Sequence, residues 1–266
     1  MAKVDLSFDG PIARLTLNRP EVLNAMDTEA CDQLLLAAKR IERTSSVRCV
    51  IFSGAGKSFM SGADLTAMGN QLEDPNVDLQ HEFESSVVRK ANEFLQVMER
   101  IPVPVIVSVR GAVSGGGLGF ACCGDFLIAS ESAVFVAAHI LVGLSPDGGV
   151  SWYLPRLLGA RLAKDILMLG RKFSAQEAER IGLVKQVVPD AELESATNAL
   201  AQTLLAMPAK ALANIKLLVN QAAQHSFNDH LQLEARLLGE AAVTSDFREG
   251  VKAFKEKRRP QFNKGS

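Results

Sequence analysis

Cysteine, histidine and the largest aromatic residues are scarce in this sequence. Its 266 residues include four cysteines, four histidines, one tryptophan and one tyrosine. The cysteines show no CxxC spacing, and Cys122 directly precedes Cys123, so a disulfide scaffold is excluded. The histidines have neither HxxxH nor HExxH spacing, so the sequence indicates no metal site. We expect four buried thiols in a cytoplasmic protein.

The sequence also lacks a charge excess and a long apolar run. Lys and Arg total 29 and Asp and Glu total 30, which gives a net charge of −1 and argues against a nucleic-acid partner. The most apolar stretch, residues 101–109, contains two prolines and is too short to cross a membrane. The first ten residues lack the apolar segment of a signal peptide. With 47% hydrophobic residues, the composition is that of a globular protein.

Two segments look like common nucleotide-binding motifs, but their glycines do not have the spacing that those motifs require. Residues 56–58 (Gly-Lys-Ser) look like the end of a P-loop, but Ile51 stands where its first glycine belongs. In the glycine-rich run at residues 115–119, Phe120 occupies the place of the last glycine of GxGxxG. Neither a P-loop nor a dinucleotide-binding turn is therefore predicted.

A repeated pattern of strand followed by helix is present up to about residue 190. Apolar periodicity and turn residues predict these elements. They are a hairpin over residues 4–17, helices over 31–41 and 83–98, and buried strands over 47–52 and 104–109. Asp27 is placed to cap the first helix. The fold class is therefore α/β.

Beyond residue 190 the pattern becomes almost entirely helical. Pro208 stands where a new helix can begin, and the last helix is predicted from about Ser245. Phe247, Val251 and Phe254 share one face of that helix. We therefore divide the chain into a core at residues 1–195 and a helical C-terminal region at residues 196–266.

Two glycine-bearing turns follow buried strands, at residues 59–65 and 111–119. A triple glycine that opens a helix leaves free backbone N–H groups at the positive end of the helix dipole. An N–H group from the other turn could converge with one of them. Two such donors would stabilise an oxygen that becomes negative during a reaction.

Many short segments of this chain, in the same order, resemble the crotonase (enoyl-CoA hydratase/isomerase) superfamily, and the resemblance runs from end to end. The matching segments are residues 17–20, 23–25, 59–65, 111–119, 133–143, 154–156, 169–188 and 248–250, with Met68, Asp125, Gly159, Phe254, Lys257 and Arg258. The ring-epoxide phenylacetyl-CoA isomerase branch is the most similar, because it shares residues 154–156 and a tail like residues 245–251.

The resemblance implies a spiral of ββα units with a C-terminal helical region that builds homotrimers or dimers of trimers. It implies a coenzyme A thioester as substrate, with no permanently bound cofactor. The thioester oxygen would lie between the N–H groups of Ala63 and Gly116. The adenine would lie near Ala25, Ala63 and Leu65, with Phe254 and Lys257 reaching in from a neighbouring tail.

The reaction depends on the side chains around that oxygen. Hydratases of the superfamily carry two glutamates, and this sequence has Gly119 and His139 at those positions. Related isomerases carry a catalytic aspartate where this sequence has Asp147, although a turn of this composition more commonly uses an aspartate as a helix cap. His139 is a candidate acid–base group or a packed core histidine.

We therefore expect an enoyl-CoA isomerase with Asp147 as its base. The alternatives are a hydratase or hydrolase in which Asp147 or His139 activates water, and an acyl-CoA-binding protein that has lost its chemistry.

Overall fold

A six-stranded sheet forms the centre of the chain in a computed structural model, which describes residues 2–72, 76–85 and 87–263. Its strands, in spatial order, are β1 (Val4–Asp9), β2 (Ile12–Leu17), β3 (Cys49–Gly54), β4 (Val105–Val109), β6 (Phe126–Ser130) and β9 (Gln186–Val188). A second sheet contains β5 (Ala112–Ser114), β7 (Val134–Val136) and β8 (Lys172–Ser174). The β1–β2 hairpin is antiparallel, and the later strands of the large sheet pair in parallel.

Helices connect these strands, which confirms the predicted α/β class. In the core they are α1 (Thr28–Arg43), α2 (Leu65–Leu72), α3 (Leu79–Ser85), α4 (Val87–Arg100), α5 (Gly116–Cys122), α6 (Val150–Leu158), α7 (Ala160–Met168) and α8 (Ala175–Arg180). The C-terminal region contains α9 (Leu193–Leu205), α10 (Ala209–Gln221), α11 (Phe227–Ala242) and α12 (Ser245–Lys255). The predicted helix at residues 83–98 corresponds to parts of α3 and α4; its residue 86 lies outside the described residues.

The β1–β2 hairpin and the start of α1 form where the sequence predicts them. In the predicted hairpin Asp9 pairs with Ile12, so Gly10 and Pro11 form a two-residue turn. Gly10 has a φ of +55°, which a residue without Cβ adopts easily. The Asp27 side chain accepts a hydrogen bond of 2.8 Å from the Ala30 amide, which confirms the predicted cap of α1.

Both faces of the large sheet are buried, as expected of a mainly parallel sheet. On one face Phe52, Phe94 and Phe120 lie in a chain of ring contacts, with centroid distances of 5.6 Å and 5.1 Å. On the other face Ile51 and Ile106 lie in a smaller cluster together with residues of α9. Such burial supplies most of the driving force for folding.

The second glycine-rich segment differs from its prediction. Residues 112–114 form β5 rather than part of a turn. Met60 provides the reason, because its N–H donates to the Ala112 carbonyl at 3.0 Å and its carbonyl accepts from the Ser114 amide at 2.9 Å. The turn is thereby shortened, and α5 begins at Gly116.

The last helices confirm the prediction that the chain becomes almost entirely helical beyond residue 190. Pro208 precedes α10 and α12 begins at Ser245, both as expected. Helix α9 packs on the sheet through Ala201 and Leu204. The end of the chain folds back, because Asn263 hydrogen-bonds to the backbone on both sides of Pro208. The division between residues 195 and 196 remains a prediction.

Candidate active site

The first glycine-bearing turn is fixed by a buried asparagine. Asn24 adopts a left-handed backbone conformation with a φ of +57°. Its side-chain nitrogen lies 3.0 Å, 2.8 Å and 3.0 Å from the carbonyl oxygens of Ala55, Ser58 and Phe59. Because a buried amide must find partners, this contact fixes the loop that leads out of β3. The sequence contained Asn24 in a matching segment, but no role was predicted for it.

An arginine holds the other end of the same turn. Arg19 donates to the Ala25 carbonyl at 2.6 Å and lies 3.3 Å from an oxygen of Asp64 and 3.2 Å from one of Asp27. All three charged side chains are largely buried, so these contacts are screened less than surface ion pairs. Arg19 therefore ties residues 25–27 to the segment that contains Ala63.

The two glycine turns meet. A Cβ built on Gly62 would lie 3.3 Å from the Ser114 carbonyl oxygen, and a Cβ built on Gly115 would lie 3.7 Å from the Gly62 Cα. Both glycines have positive φ values, +113° and +55°. A larger residue at either position would strain the backbone, and at Gly62 it would also crowd the Ser114 carbonyl.

Ala63 and Gly116 carry the two amides that are predicted to bind the thioester oxygen. Met26 donates to the Gly62 carbonyl at 2.9 Å and accepts from the Asp64 amide at 3.0 Å, so the Ala63 N–H points away from Met26. Gly116 is the first residue of α5, so its N–H has no acceptor within the helix. Both residues line one cavity, and their function as oxygen donors remains a prediction.

That cavity has a volume of about 100 Å³ and a mainly apolar wall. Leu65 lines it, as do His139 and Asp147. The apolar wall residues include Met26, Cys31, Met60, Met68, Val87, Ala91, Phe120, Val142 and Leu144. A site of this composition suits an apolar acyl group with a few polar atoms at one end.

Asp147 does not cap a helix. The N-cap residue of α6 is Gly149, with no side-chain cap, so the interpretation of Asp147 as a cap is wrong. Instead its Oδ1 atom lies 2.8 Å from the Nε2 atom of His139. The His139 side chain is 9% exposed and that of Asp147 is 37% exposed, so the carboxylate is the more accessible partner.

The position of the first hydratase glutamate is closed. A Cβ built on Gly119 would lie 1.8 Å from the Gly148 carbonyl oxygen and 3.0 Å from a methyl carbon of Val150. No side chain fits there while Gly148 keeps this position. Gly148 and Gly149 have φ values of +57° and +75°, which allow the chain to turn tightly at this point.

Three of the residues predicted to bind coenzyme A, namely Ala25, Phe254 and Lys257, do not line this cavity. Ala25 is buried, and its carbonyl accepts from Arg19. Phe254 is 85% exposed on α12, and Lys257 follows that helix in a left-handed conformation. The predicted roles of Phe254 and Lys257 belong to a neighbouring copy of the chain, so they remain predictions.

The buried thiols are poor nucleophiles. Burial raises the pKa of Cys31, Cys49 and Cys122 to about 12, and it raises the pKa of Cys123 as well. Cys31 therefore lines the cavity as an apolar group.

Within residues 2–72, 76–85 and 87–263, His, Cys, Asp and Glu form no group of three or more that could hold a metal ion. In the same ranges no helix has the length and apolar character needed to span a bilayer.

Comparison with known proteins identifies the family. The family model described as enoyl-CoA hydratase/isomerase matches residues 7–265. A 1,2-epoxyphenylacetyl-CoA isomerase from Escherichia coli is 38% identical over 251 residues, with 94% of each chain covered. A protein named as an enoyl-CoA hydratase from Rhodobacter capsulatus is 37% identical over 255 residues, again 94% of each. A trans-2-decenoyl-(acyl-carrier-protein) isomerase from Streptococcus mutans is 34% identical over 259 residues, 96% of each.

Solved structures agree with this assignment. The crystal structure of a protein described as an enoyl-CoA hydratase/isomerase from Mycobacterium abscessus is 34% identical, with a TM-score of 0.92 and coverage of 98% of this chain and 99% of that chain. One described as an enoyl-CoA hydratase from Streptomyces coelicolor is 30% identical, with a TM-score of 0.90 and coverage of 98% and 94%. The chain therefore has the crotonase fold and belongs to the enoyl-CoA hydratase/isomerase family.

Proposed function

We propose that this enzyme is an enoyl-CoA isomerase in which Asp147 is the only base. The thioester oxygen is held by the amides of Ala63 and Gly116, and Asp147 moves a proton along the acyl chain. One observation carries the proposal: Asp147 is the single carboxylate among the described residues that line the cavity.

The carboxylate lies close to the proposed oxygen site. Its Oδ1 atom lies 3.2 Å from the point where a Cβ on Gly116 would stand, so it neighbours the residue whose amide would bind the thioester oxygen. The carbon next to the thioester carbonyl is then within reach of the same carboxylate. A general base must be within hydrogen-bonding distance of the proton it removes.

The proposed reaction balances with this one group. With a β,γ-enoyl thioester, Asp147 removes a proton from the α carbon, and the electron pair delocalises onto the thioester oxygen. Two N–H groups stabilise that negative charge, and each is worth about 3–4 kcal/mol in such a site. The protonated Asp147 returns the proton to the γ carbon, which leaves the double bond conjugated with the carbonyl. No water and no cofactor is consumed.

Hydration needs a second group to activate water, and the place of the first hydratase glutamate is filled by the Gly148 carbonyl. The names of the Escherichia coli and Streptococcus mutans relatives support isomerisation. The name of the Rhodobacter capsulatus relative supports a hydratase, which is the second candidate function.

The binding of coenzyme A is proposed to involve two copies of the chain. Ala25 and Leu65 would contact the adenine from one copy, and Phe254 and Lys257 would approach from the tail of its neighbour in a homotrimer. The exposure of Phe254 in the single chain supports this arrangement.

The test is Asp147→Asn, with Asp9→Asn, an exposed strand residue, as the matched control. The conversion of a panel of enoyl-CoA esters is followed by absorbance, and the product masses are measured by mass spectrometry. We expect Asp147→Asn to lower kcat by about 10²–10⁴-fold, the usual contribution of a general base. An isomerase leaves the substrate mass unchanged, whereas a hydratase adds one water. Full activity of Asp147→Asn would contradict the proposal.

A further inference from the structure

His139 occupies a second hydratase position, and its surroundings define what it can do. Its side chain is nine-tenths buried, and its Nε2 atom lies 2.8 Å from Asp147 Oδ1. The Asp147 backbone N–H also points to Nε2, at 3.4 Å, a longer contact in which Nε2 would be the acceptor. The imidazole therefore lies beside the aspartate and makes its hydrogen bond to it, while the aspartate is the group more exposed to the cavity.

The two contacts of Nε2 require different positions of the ring proton. His139 Nδ1 is buried and has no hydrogen-bond partner among the residues that the structure describes. A ring with its proton on Nδ1 alone would satisfy the 3.4 Å contact, but it would leave a buried donor unpaired and two acceptors, Nε2 and Oδ1, facing each other at 2.8 Å. A proton on Nε2 satisfies the shorter contact and points to the carboxylate.

This arrangement leaves the imidazole no atom for reaction with substrate. Nε2 is used by Asp147 and Nδ1 is enclosed. The Asp147 side chain, in contrast, is 37% exposed and lines the cavity. The 3₁₀ helix that carries His139 (Ala138–Val142) and the turn that carries Asp147 are thereby joined beside Gly115 and Gly116.

We propose that His139 is a positioning residue that acts through Asp147. The imidazole donates its Nε2–H to Asp147 Oδ1 and so holds the carboxylate in one orientation beside Gly116. This inference rests on the proposed function, because it assumes that Asp147 is the base. It assigns to His139 no proton transfer with the substrate.

Substitutions separate this role from a purely structural one. His139→Ala removes the donor, whereas the amide of His139→Gln can place an N–H near the position of Nε2. We expect His139→Ala to lower kcat by about 100-fold, the scale of a small displacement of a reacting group, with KM changed less than about 2-fold. We expect His139→Gln to recover most of the lost rate. His230→Gln on α11 is the matched control, since its Nδ1 is also buried without a partner among the described residues.

The double variant tests whether the histidine acts through the aspartate. In an Asp147→Asn background, His139→Ala should cause no further loss, because the group it positions is already gone. The proposal is overturned if His139→Ala leaves kcat unchanged, if His139→Gln is as slow as His139→Ala, or if the two losses multiply. Full activity of Asp147→Asn alone would instead overturn the proposed function.

A second measurement needs no known substrate. Nitrogen NMR of the unmodified protein, labelled in histidine, reports which ring nitrogens carry a proton. We expect a protonated Nε2 for His139, with the resonance assigned by its loss in His139→Gln or, if that variant does not fold, by elimination with variants of the other three histidines. An Nε2 atom without a proton would overturn the proposal, because His139 would then have nothing to donate to Asp147.

Discussion

The sheet-based core buries its large apolar residues, whereas the last three helices leave many of theirs exposed. In β4 every residue is buried, and the aromatic chain around Phe94 is enclosed. Helices α10, α11 and α12 each bury a single residue: Asn214, Leu237 and Ala253 respectively. Their large apolar side chains are exposed instead. They include Ile215, Val219, Phe227, Leu238, Val243, Phe247 and Phe254.

This difference separates two functions within one chain. The core has a self-sufficient interior that can hold backbone amides and a carboxylate in place. The last three helices leave large apolar side chains exposed in the single chain, and such side chains are typical of a contact surface. We therefore expect changes in the core to affect folding and kcat, and changes in the tail to affect assembly and KM.

The largest expected effect compares two phenylalanines. Phe94→Ala should lower the free energy of unfolding by about 3–5 kcal/mol, because it leaves a cavity between Phe52 and Phe120. Phe254→Ala should change it by less than about 0.5 kcal/mol in a monomeric chain. Denaturant unfolding of both variants, at several protein concentrations, measures this. A large and concentration-dependent loss in Phe254→Ala would show that a second copy covers the tail.

The next effect concerns the oxygen-binding amides. Gly116→Pro removes one N–H at the first position of a helix, where proline is tolerated. Gly116→Ala keeps the N–H and adds a similar Cβ, which would lie 3.2 Å from Asp147 Oδ1. We expect kcat to fall about 10²–10³-fold for the proline variant and much less for alanine. Equal losses would mean that crowding of Asp147, and not the lost donor, is responsible.

A smaller effect is expected at Lys257. Lys257→Gln should raise KM for coenzyme A esters about 5-fold, the scale of one exposed charge pair, and leave kcat unchanged. The effect should shrink at high salt, since exposed charges are screened. Lys172→Gln, on the exposed side of β8, is the control. A change in kcat, or no change in KM, would contradict the proposed contact.

The smallest expected effect is that the segment after α12 detaches from Glu249 at acid pH. Hydrogen bonds from Arg258 and the Gln261 amide lower the pKa of Glu249 to about 2, from an ordinary 4.5. The contribution of this contact is therefore complete above pH 4.5 and is lost as the pH falls toward 2. We expect cleavage after residue 256 by pepsin to increase over this range. Glu249→Gln should show the same cleavage at all these pH values.

Local signals in the sequence predicted most of the core elements. The Gly10-Pro11 turn and the Asp27 cap depend on neighbours a few residues away, and both are as predicted. Strand β5 was missed because its partners are distant in sequence: β7 lies about twenty residues later, and Met60, which makes an isolated bridge to Val113, lies about fifty residues earlier. A strand of three residues has no periodicity of its own to read.

The candidate site was predicted only in part, because some of its contacts join residues that are far apart in the chain. The resemblance selected Ala63, Gly116, His139 and Asp147, which line one cavity. It gave no role to Arg19 or Asn24, whose contacts fix the first turn. The one signal for Asn24 was a polar residue in an otherwise apolar environment. The alternative interpretation of Asp147 as a helix cap was wrong, because its side chain contacts His139, eight residues earlier, and α6 is capped by Gly149.

The close approach of the Gly148 carbonyl to Gly119 also limits how this enzyme could change its reaction. Restoring a glutamate at residue 119 by a single substitution would force that oxygen aside, so the first step toward water addition would damage the existing site. The turn at residues 146–149 would have to be rebuilt first. We therefore expect a glutamate at residue 119 to need compensating changes in the turn at residues 146–149.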